Sequence, residues 1–170
     1  MRFIKPAITI GSATLMVVGL AGPTEAAKRT MIDPPRDAPK GADVTKVTYK
    51  HTKRGVSARF KVRGLSKRGE FVLAVGNLPG NKLRFGMTAT RSGGKVTKRF
   101  YRSNAKGTSR KKCKGMRVRW RARRNVIWMS FPVRCYKSLN KRVGIAVGSV
   151  KKSFPNGPTI DSGPYTRLKR

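Results

Sequence analysis

Residues 113–135 of this chain have the sequence CKGMRVRWRARRNVIWMSFPVRC. Over residues 116–123 an apolar or small residue alternates with arginine, and residues 126–131 are almost entirely apolar. Alternation with a period of two is typical of a strand with one buried face, and a short apolar run is typical of a strand inside a core. The two residues between these segments are too few for anything but a turn. The stretch therefore predicts a β-hairpin with an arginine-rich outer side.

Similar short segments occur throughout residues 43–150, separated by turns that are rich in Gly, Pro and Asn. No segment shows the period of 3.6 residues that an amphipathic helix requires, and there is no internal repeat. About eight short strands of this kind predict an all-β fold, an antiparallel β-sandwich, with a barrel as the alternative. The predicted strands begin at Val47, Val56, Phe71, Leu83, Val96, Met116, Val126 and Val143.

The first residues have the features of a secretory signal peptide. Arg2 and Lys5 precede a charge-free, mostly apolar run of 19 residues that ends at Thr24, and small residues follow it. This order predicts a signal peptide over residues 1–26, with cleavage after Ala26 and export from the cytoplasm. A retained membrane anchor is the alternative, because the run approaches the ~20 residues that span a bilayer.

The remaining chain divides by composition into three parts. Prolines and the lack of apolar periodicity predict a linker over residues 27–42. The alternating segments predict one β-sandwich domain over residues 43–150, which is long enough for a single core. Residues 151–170 hold further prolines and glycines and are predicted to form an irregular basic tail.

The only two cysteines, Cys113 and Cys135, flank the predicted hairpin at its open end. An isolated cysteine pair in an exported protein favours a disulfide, and two free thiols are the alternative. A metal site lacks ligands, because the chain has one histidine and no pair of cysteines two residues apart. The sequence therefore predicts a disulfide and no metal.

Five motifs along the chain carry a resemblance to a known group of proteins. They are Gly41-Ala42-Asp43-Val44, Val47-x-Tyr49-x-His51, Cys113-Lys114-Gly115-Met116, Phe131-Pro132-Val133-Arg134-Cys135 and Arg142-Val143-Gly144-Ile145-Ala146-Val147. After a leader and a Pro-rich spacer, these motifs resemble small exported actinobacterial β-sandwich proteins. The resemblance implies a sandwich similar in pattern to carbohydrate-binding modules, without an assigned activity. Such proteins often carry an Asp-rich turn where this chain has Asn77-Leu78-Pro79-Gly80-Asn81, and this departure argues against a calcium site.

Charge is the main functional signal of the sequence. The chain has 41 Lys and Arg residues against 6 Asp and Glu residues, a formal net charge of +35. A field of one sign attracts polyanions, and strand residues two apart share a face at a spacing of about 6.6 Å, so basic rows are expected. The candidate polyanion-binding residues are Arg117, Arg119, Arg121 and Arg123 in one row, Arg59, Lys61 and Arg63 in a second, Lys82 and Arg84 in a third, and Arg110, Lys111 and Lys112 in a loop beside the first row.

The sequence offers few residues for catalysis. Its single histidine, His51, shares a predicted strand face with apolar residues, which favours a structural role. Most of the few carboxylates lie outside the predicted strands, and the chain has no Gly-rich phosphate loop. We therefore expect no enzymatic activity, no cofactor and no small-molecule substrate.

These features predict a secreted or cell-wall-associated module that binds anionic polymers through cationic strand faces. The candidate partners are a wall polymer, an acidic polysaccharide, nucleic acid or an anionic lipid surface. Composition alone would favour an intracellular nucleic-acid-binding protein. The other alternative is a carbohydrate-binding-type β-sandwich whose charge is only adaptive. The sequence leaves the oligomeric state open.

Overall fold

The computed structural model describes residues 27–77, 84–139, 142–153, 157–161 and 166–169. The predicted signal peptide, residues 1–26, lies outside the described residues, and so do Lys82 and most of the 77–81 turn. The described part holds twelve strands and two short 3-10 turns, Ala122–Arg124 and Val133–Cys135. The strands are β1 (Ala27–Ile32), β2 (Val44–Thr52), β3 (Gly55–Val62), β4 (Gly69–Gly76), β5 (Arg84–Ser92), β6 (Lys95–Asn104), β7 (Gly107–Lys111), β8 (Arg117–Arg121), β9 (Val126–Pro132), β10 (Arg142–Ser153), β11 (Gly157–Asp161) and β12 (Thr166–Lys169). No helix in the described part is long and apolar enough to cross a membrane.

The strands form two antiparallel sheets. The first sheet has the order β1-β2-β3-β9-β8, and the second has the order β11-β10-β4-β5-β6-β7, with β12 also paired to β10. The predicted all-β, antiparallel β-sandwich is therefore confirmed. The structure has more strands than the eight or so predicted, because β1, β7, β11 and β12 lie at or near sheet edges. The sequences of these short strands carry little apolar alternation, although Thr166 and Leu168 of β12 are buried.

Alternating burial along the strands builds one core between the sheets. On β3, Phe60 and Val62 are buried, whereas Lys61 between them is exposed. Aromatic rings contact each other across the two sheets: the centroids of Phe60 and Phe71 are 5.5 Å apart, and those of Phe100 and Phe131 are 5.2 Å apart. Apolar burial of this kind is the main stabilising contribution to a domain of this size.

Two buried polar side chains of β2 also connect the sheets. The Tyr49 hydroxyl accepts a hydrogen bond from the backbone N–H of Val147 on β10 at 3.2 Å, and burial raises the pKa of this phenol above its usual range. His51 is fully buried, and its Nδ1 lies 3.3 Å from the carbonyl oxygen of Leu168 on β12. Both polar groups therefore have a structural use, as the sequence predicts for His51.

The predicted hairpin and disulfide are both present. Strands β8 and β9 pair in the register that places Arg117 opposite Ser130 and Arg121 opposite Val126. Asn125 closes the turn with a left-handed backbone, φ 53°. The Cys113–Cys135 disulfide joins the open end, with a Cα–Cα distance of 5.6 Å.

Residues 27–42, predicted to be a linker, are instead part of the sandwich. Residues 27–32 form β1 at the edge of the first sheet, and the rest of the segment is fastened by Asp43. The Asp43 carboxylate is fully buried and accepts hydrogen bonds from the Arg63 Nε at 2.5 Å and the backbone N–H of Arg36 at 2.9 Å. The Arg63 guanidinium also donates to the carbonyl of Ala38 at 3.0 Å. The prolines of this segment lie only after the end of β1. Composition alone therefore does not predict that residues 27–42 pack against the sandwich.

Residues 151–170, predicted to be an irregular tail, also contribute strands. β10 continues to Ser153, and β11 and β12 both pair with it. Pro158 lies in β11, which is an edge strand, where the missing N–H of a proline removes no ladder hydrogen bond. The side chains of Thr166 and Leu168 on β12 are buried. The prolines and glycines of this segment therefore do not exclude strands from it, since Gly157 and Pro158 lie in β11.

The disulfide leads to the first prediction. Cys113→Ser removes a cross-link that closes 22 residues, which is worth roughly 3 kcal/mol in the chain-entropy model. In a domain of this size such a loss lowers the unfolding midpoint by roughly 10 °C. Thermal unfolding followed by circular dichroism measures it, and wild type in reductant should fall to the same midpoint. Equal midpoints for wild type with and without reductant would contradict the prediction.

The second prediction concerns the Asp43–Arg63 ion pair. Arg63→Ala leaves a fully buried carboxylate without its cation, whereas the side chain of Arg63 is itself 37% exposed. Removing one partner of a buried pair costs 3–5 kcal/mol, and partial exposure places this pair at about 3 kcal/mol. Chemical denaturation should show a clearly lower midpoint for this variant. The matched control Arg59→Ala, at an exposed position of β3, should unfold where the wild type does. Identical midpoints for both variants would mean that Asp43 does not fasten residues 33–43.

Candidate polyanion-binding site

Alternation places every second side chain of the first sheet on the side away from the core. The strand register arranges fifteen of them in three rows across β1, β2, β3, β9 and β8, and we term this surface the outer face. Its rows are Lys28-Lys50-Ser57-Ser130-Arg117, Thr30-Thr48-Arg59-Trp128-Arg119 and Ile32-Lys46-Lys61-Val126-Arg121.

The outer face carries cations without carboxylates. Its eight basic side chains are all exposed, and no acidic residue is among the fifteen. The five acidic residues within the described part of the chain lie elsewhere, in residues 33–43 or on the second sheet. Their positions are Asp33, Asp37, Asp43, Glu70 and Asp161. Since no neighbouring acid offsets these cations, the outer face presents a positive field to solvent.

Trp128 lies on β9, in the middle row of the outer face. It is directly opposite Arg59 on β3 and Arg119 on β8 in the ladder. The Arg119 Cζ is 5.6 Å from the centroid of the Trp128 ring, which is a cation–π distance. This contact orients one guanidinium beside a half-buried aromatic ring. The same neighbourhood therefore offers both a charge and a flat apolar surface to a ligand.

Two hollows adjoin Trp128 along β9. One has a volume of about 430 Å³ and includes Lys50, Arg117 and Ser130 in its lining. The other has a volume of about 210 Å³ and is lined mainly by arginines, with Val126 at its base. The arginines of β3 and β8 are two strands apart, about 9.6 Å between backbones, and the uncharged residues of β9 lie between them. The outer face thus contains a shallow channel with cationic sides.

The structure brings five of the predicted residues together on the outer face. These are Arg59, Lys61, Arg117, Arg119 and Arg121. The other members of the predicted set lie elsewhere, each for a local reason.

Arg123 and Arg63 are absent from the predicted rows. β8 ends at Arg121, and the Ala122–Arg124 turn changes the backbone direction, so Arg123 does not continue the strand row. Arg124 lines the smaller hollow instead. Arg63 follows the end of β3 and is held by Asp43, which withdraws it from the row.

The remaining predicted residues belong to the second sheet or lie outside the described residues. Arg84 is exposed on β5, and Lys82 lies in the part that the structure does not describe. Arg110 and Lys111 are not in a loop but on β7, at the edge of the second sheet, and Lys112 follows them. They line a separate cleft, because β7 pairs with β6 and not with the hairpin.

Sequence reasoning missed four components of the outer face. Lys28 lies on β1, a strand that was not predicted because prolines follow it. Lys46 and Lys50 lie on β2, where no run of basic residues marks them as a candidate site. Trp128 appeared as one residue of an apolar segment. Only the pairing of β9 between β3 and β8 reveals its position among arginines.

The arrangement suits anion binding and offers no metal-ligand set. Among the described residues, no group of three or more His, Cys, Asp or Glu side chains could hold a metal ion. Guanidinium groups on a strand present paired N–H donors that match phosphate, sulfate and carboxylate oxygens. The outer face therefore presents groups that can donate paired hydrogen bonds to anionic oxygens.

Comparisons with protein-family models, with curated proteins and with solved structures find no match for this chain. The function of the outer face is therefore inferred from the charges and contacts of its own residues.

Proposed function

We propose that this protein is an exported, non-enzymatic module that binds anionic polymers along the outer face of its first sheet. The observation that supports this proposal is the set of eight exposed cations, without an acid among them, on the face that contains the channel along β9. A solvated surface of a typical domain mixes both signs of charge. A surface whose charges all have the same sign is destabilised by their mutual repulsion. A bound polyanion reduces that repulsion.

A polymer chain in the channel would lie along β9, over Ser130, Trp128 and Val126. Arginines of β8 would contact its anionic groups from one side, at intervals of about 6.6 Å. Basic residues of β3 would contact them from the other side. Each guanidinium can hold an anionic group through two parallel hydrogen bonds, whereas lysines add point charges that tolerate variable spacing. The interaction selects charge density and does not select sequence.

The disulfide supports an exported location. Disulfides persist in oxidising environments and are rare in the cytosol. The Cys113–Cys135 bond joins the loop after β7 to the 3-10 turn that follows β9. Together with the predicted signal peptide, it favours a partner outside the cytoplasm. The partners that fit are an anionic cell-wall polymer, an acidic polysaccharide, extracellular nucleic acid or an anionic lipid surface.

The third prediction tests the outer face directly. The triple variant Arg117→Glu, Arg119→Glu and Arg121→Glu should bind purified cell walls and a single-stranded oligonucleotide at least about tenfold more weakly at low salt, because binding depends on phosphate contacts. The slope of log K against log salt for the oligonucleotide should become about 2 units less steep, since each lost contact is worth about 0.7. All three side chains are exposed, so the variant should fold normally.

A variant with the same change in charge, at two loop positions and at the exposed first residue of β6, provides the control. Lys67→Glu, Lys95→Glu and Lys106→Glu lie away from the outer face and should reduce affinity only slightly. Equal losses in both triple variants would show that net charge alone drives binding and would contradict a localised site. Salt-independent binding to a neutral glycan, with no binding to polyanions, would favour the carbohydrate-binding alternative.

A further inference from the structure

A second cationic surface lies apart from the outer face. It is a cleft of about 510 Å³ between β6, β7 and the loop of residues 112–116 that connects β7 to β8, and we term it the edge cleft. Six of its nine lining residues are basic and none is acidic. The basic residues are Lys98, Arg99, Arg110, Lys111, Lys112 and Lys114.

The loop that forms one wall of the edge cleft is held in place at several points. The disulfide fixes Cys113 to Cys135. The Arg134 guanidinium donates to the carbonyl oxygen of Lys114, with Nη2 at 2.9 Å and Nε at 3.3 Å. The Lys98 ammonium donates to the carbonyl of Met116 at 3.2 Å. A ligand that enters this cleft therefore meets a wall that is already ordered, which lowers the entropic cost of binding.

Gly115 is a position in this loop where the backbone conformation favours glycine. Its φ is +89°, a conformation that side chains with a Cβ rarely adopt. A Cβ at this position would also lie 2.9 Å from the Arg134 Nη2. The loop thus requires glycine for its backbone conformation, whereas a Cβ there would displace only the flexible end of the Arg134 side chain.

The edge cleft and the larger hollow of the outer face lie on two sides of the same loop, because Gly115 lines the hollow whereas Lys114 and Met116 line the cleft. The cleft shares no lining residue with either hollow of the outer face. Strand β7 belongs to the second sheet, whereas β8 belongs to the first. On β8 the side chain of Arg117 points outward, while the preceding residue, Met116, lines the cleft.

We propose that the edge cleft is a second binding site for the phosphate groups of an anionic polymer, so that one molecule holds two polymer segments and cross-links separate chains. This inference rests on the proposed function of the outer face. The lysines of the cleft supply point charges for phosphate oxygens, whereas Arg99 and Arg110 alternate with Phe100 and Lys111 and so lie on the opposite face of the second sheet. Two sites on one rigid domain produce cross-linking and avidity that a single face cannot give.

The fourth prediction uses two probes. An oligothymidylate of about six nucleotides, near the lower limit for single-stranded DNA sites, should bind wild type with a stoichiometry close to two in titration calorimetry. Long poly(dT) should cause light scattering, because bivalent molecules link chains. The cleft variant Arg110→Glu, Lys111→Glu and Lys112→Glu should bind one oligonucleotide, and its light scattering should be at least about fivefold lower.

The outer-face variant Arg117→Glu, Arg119→Glu and Arg121→Glu is the matched partner of this experiment. It should also bind one oligonucleotide and scatter little, while retaining the edge cleft. Because β7 is an edge strand, a second cleft variant confined to the loop, Lys112→Glu with Lys114→Glu, tests the same site without changing a strand. Unfolding midpoints close to that of wild type establish that each variant folds.

The outcomes separate the two proposals. A wild-type stoichiometry of one, or a cleft variant that keeps two sites and full scattering, would overturn the edge cleft as a site. If the cleft variants lose all binding while the outer-face variant binds as wild type does, the proposed function of the outer face fails and the cleft remains. Loss of one site in each variant supports both.

Discussion

Mutual repulsion among basic side chains constrains this whole structure, because 41 Lys and Arg residues face only 6 carboxylates. Such a domain stays compact only if its other interactions exceed that repulsion. The apolar core between the sheets supplies most of this stability, with aromatic contacts such as Phe60–Phe71 spanning it. The disulfide and the Asp43–Arg63 ion pair act at the periphery, where chain segments would otherwise separate. One of the five acids within the described part of the chain is thus used to dock a segment rather than to neutralise the outer face.

The same repulsion connects stability with function. A ligand that binds only the folded state stabilises it in proportion to the logarithm of its concentration over Kd. A polyanion on the outer face would also reduce the repulsion between cations on neighbouring strands. Under the proposed function, binding and folding would be coupled more closely than in a domain of balanced charge. The cation–π contact between Arg119 and Trp128 keeps one guanidinium oriented in the absence of a ligand. Less side-chain entropy would therefore be lost on binding.

Local patterns predicted much of this fold. The β8–β9 hairpin follows from alternation, a two-residue turn and flanking cysteines, all within residues 113–135. Strand β1 was missed because an edge strand needs little apolar alternation and because the prolines after it suggested a linker. The tail strands were missed for a similar reason. Pairing with β10 is a tertiary contact that sequence composition does not report.

The candidate site was predicted in part. Arg117, Arg119 and Arg121 share a face because of the period of a strand alone. Their alignment with Arg59 depends on β9 pairing between β3 and β8, which has no local signal. Arg63 binds Asp43 and does not join the other basic residues of the outer face. The sequence does not predict this ion pair, because Asp43 is 20 residues away.

The measurement that tests the central claim most directly is the salt dependence of wild-type binding to a single-stranded oligonucleotide. About six cations flank the channel, and each contact contributes about 0.7, so log K should fall linearly with log salt with a slope of about −4. A slope near zero, or no binding at low salt, would contradict the account and make the outer face a solvated surface.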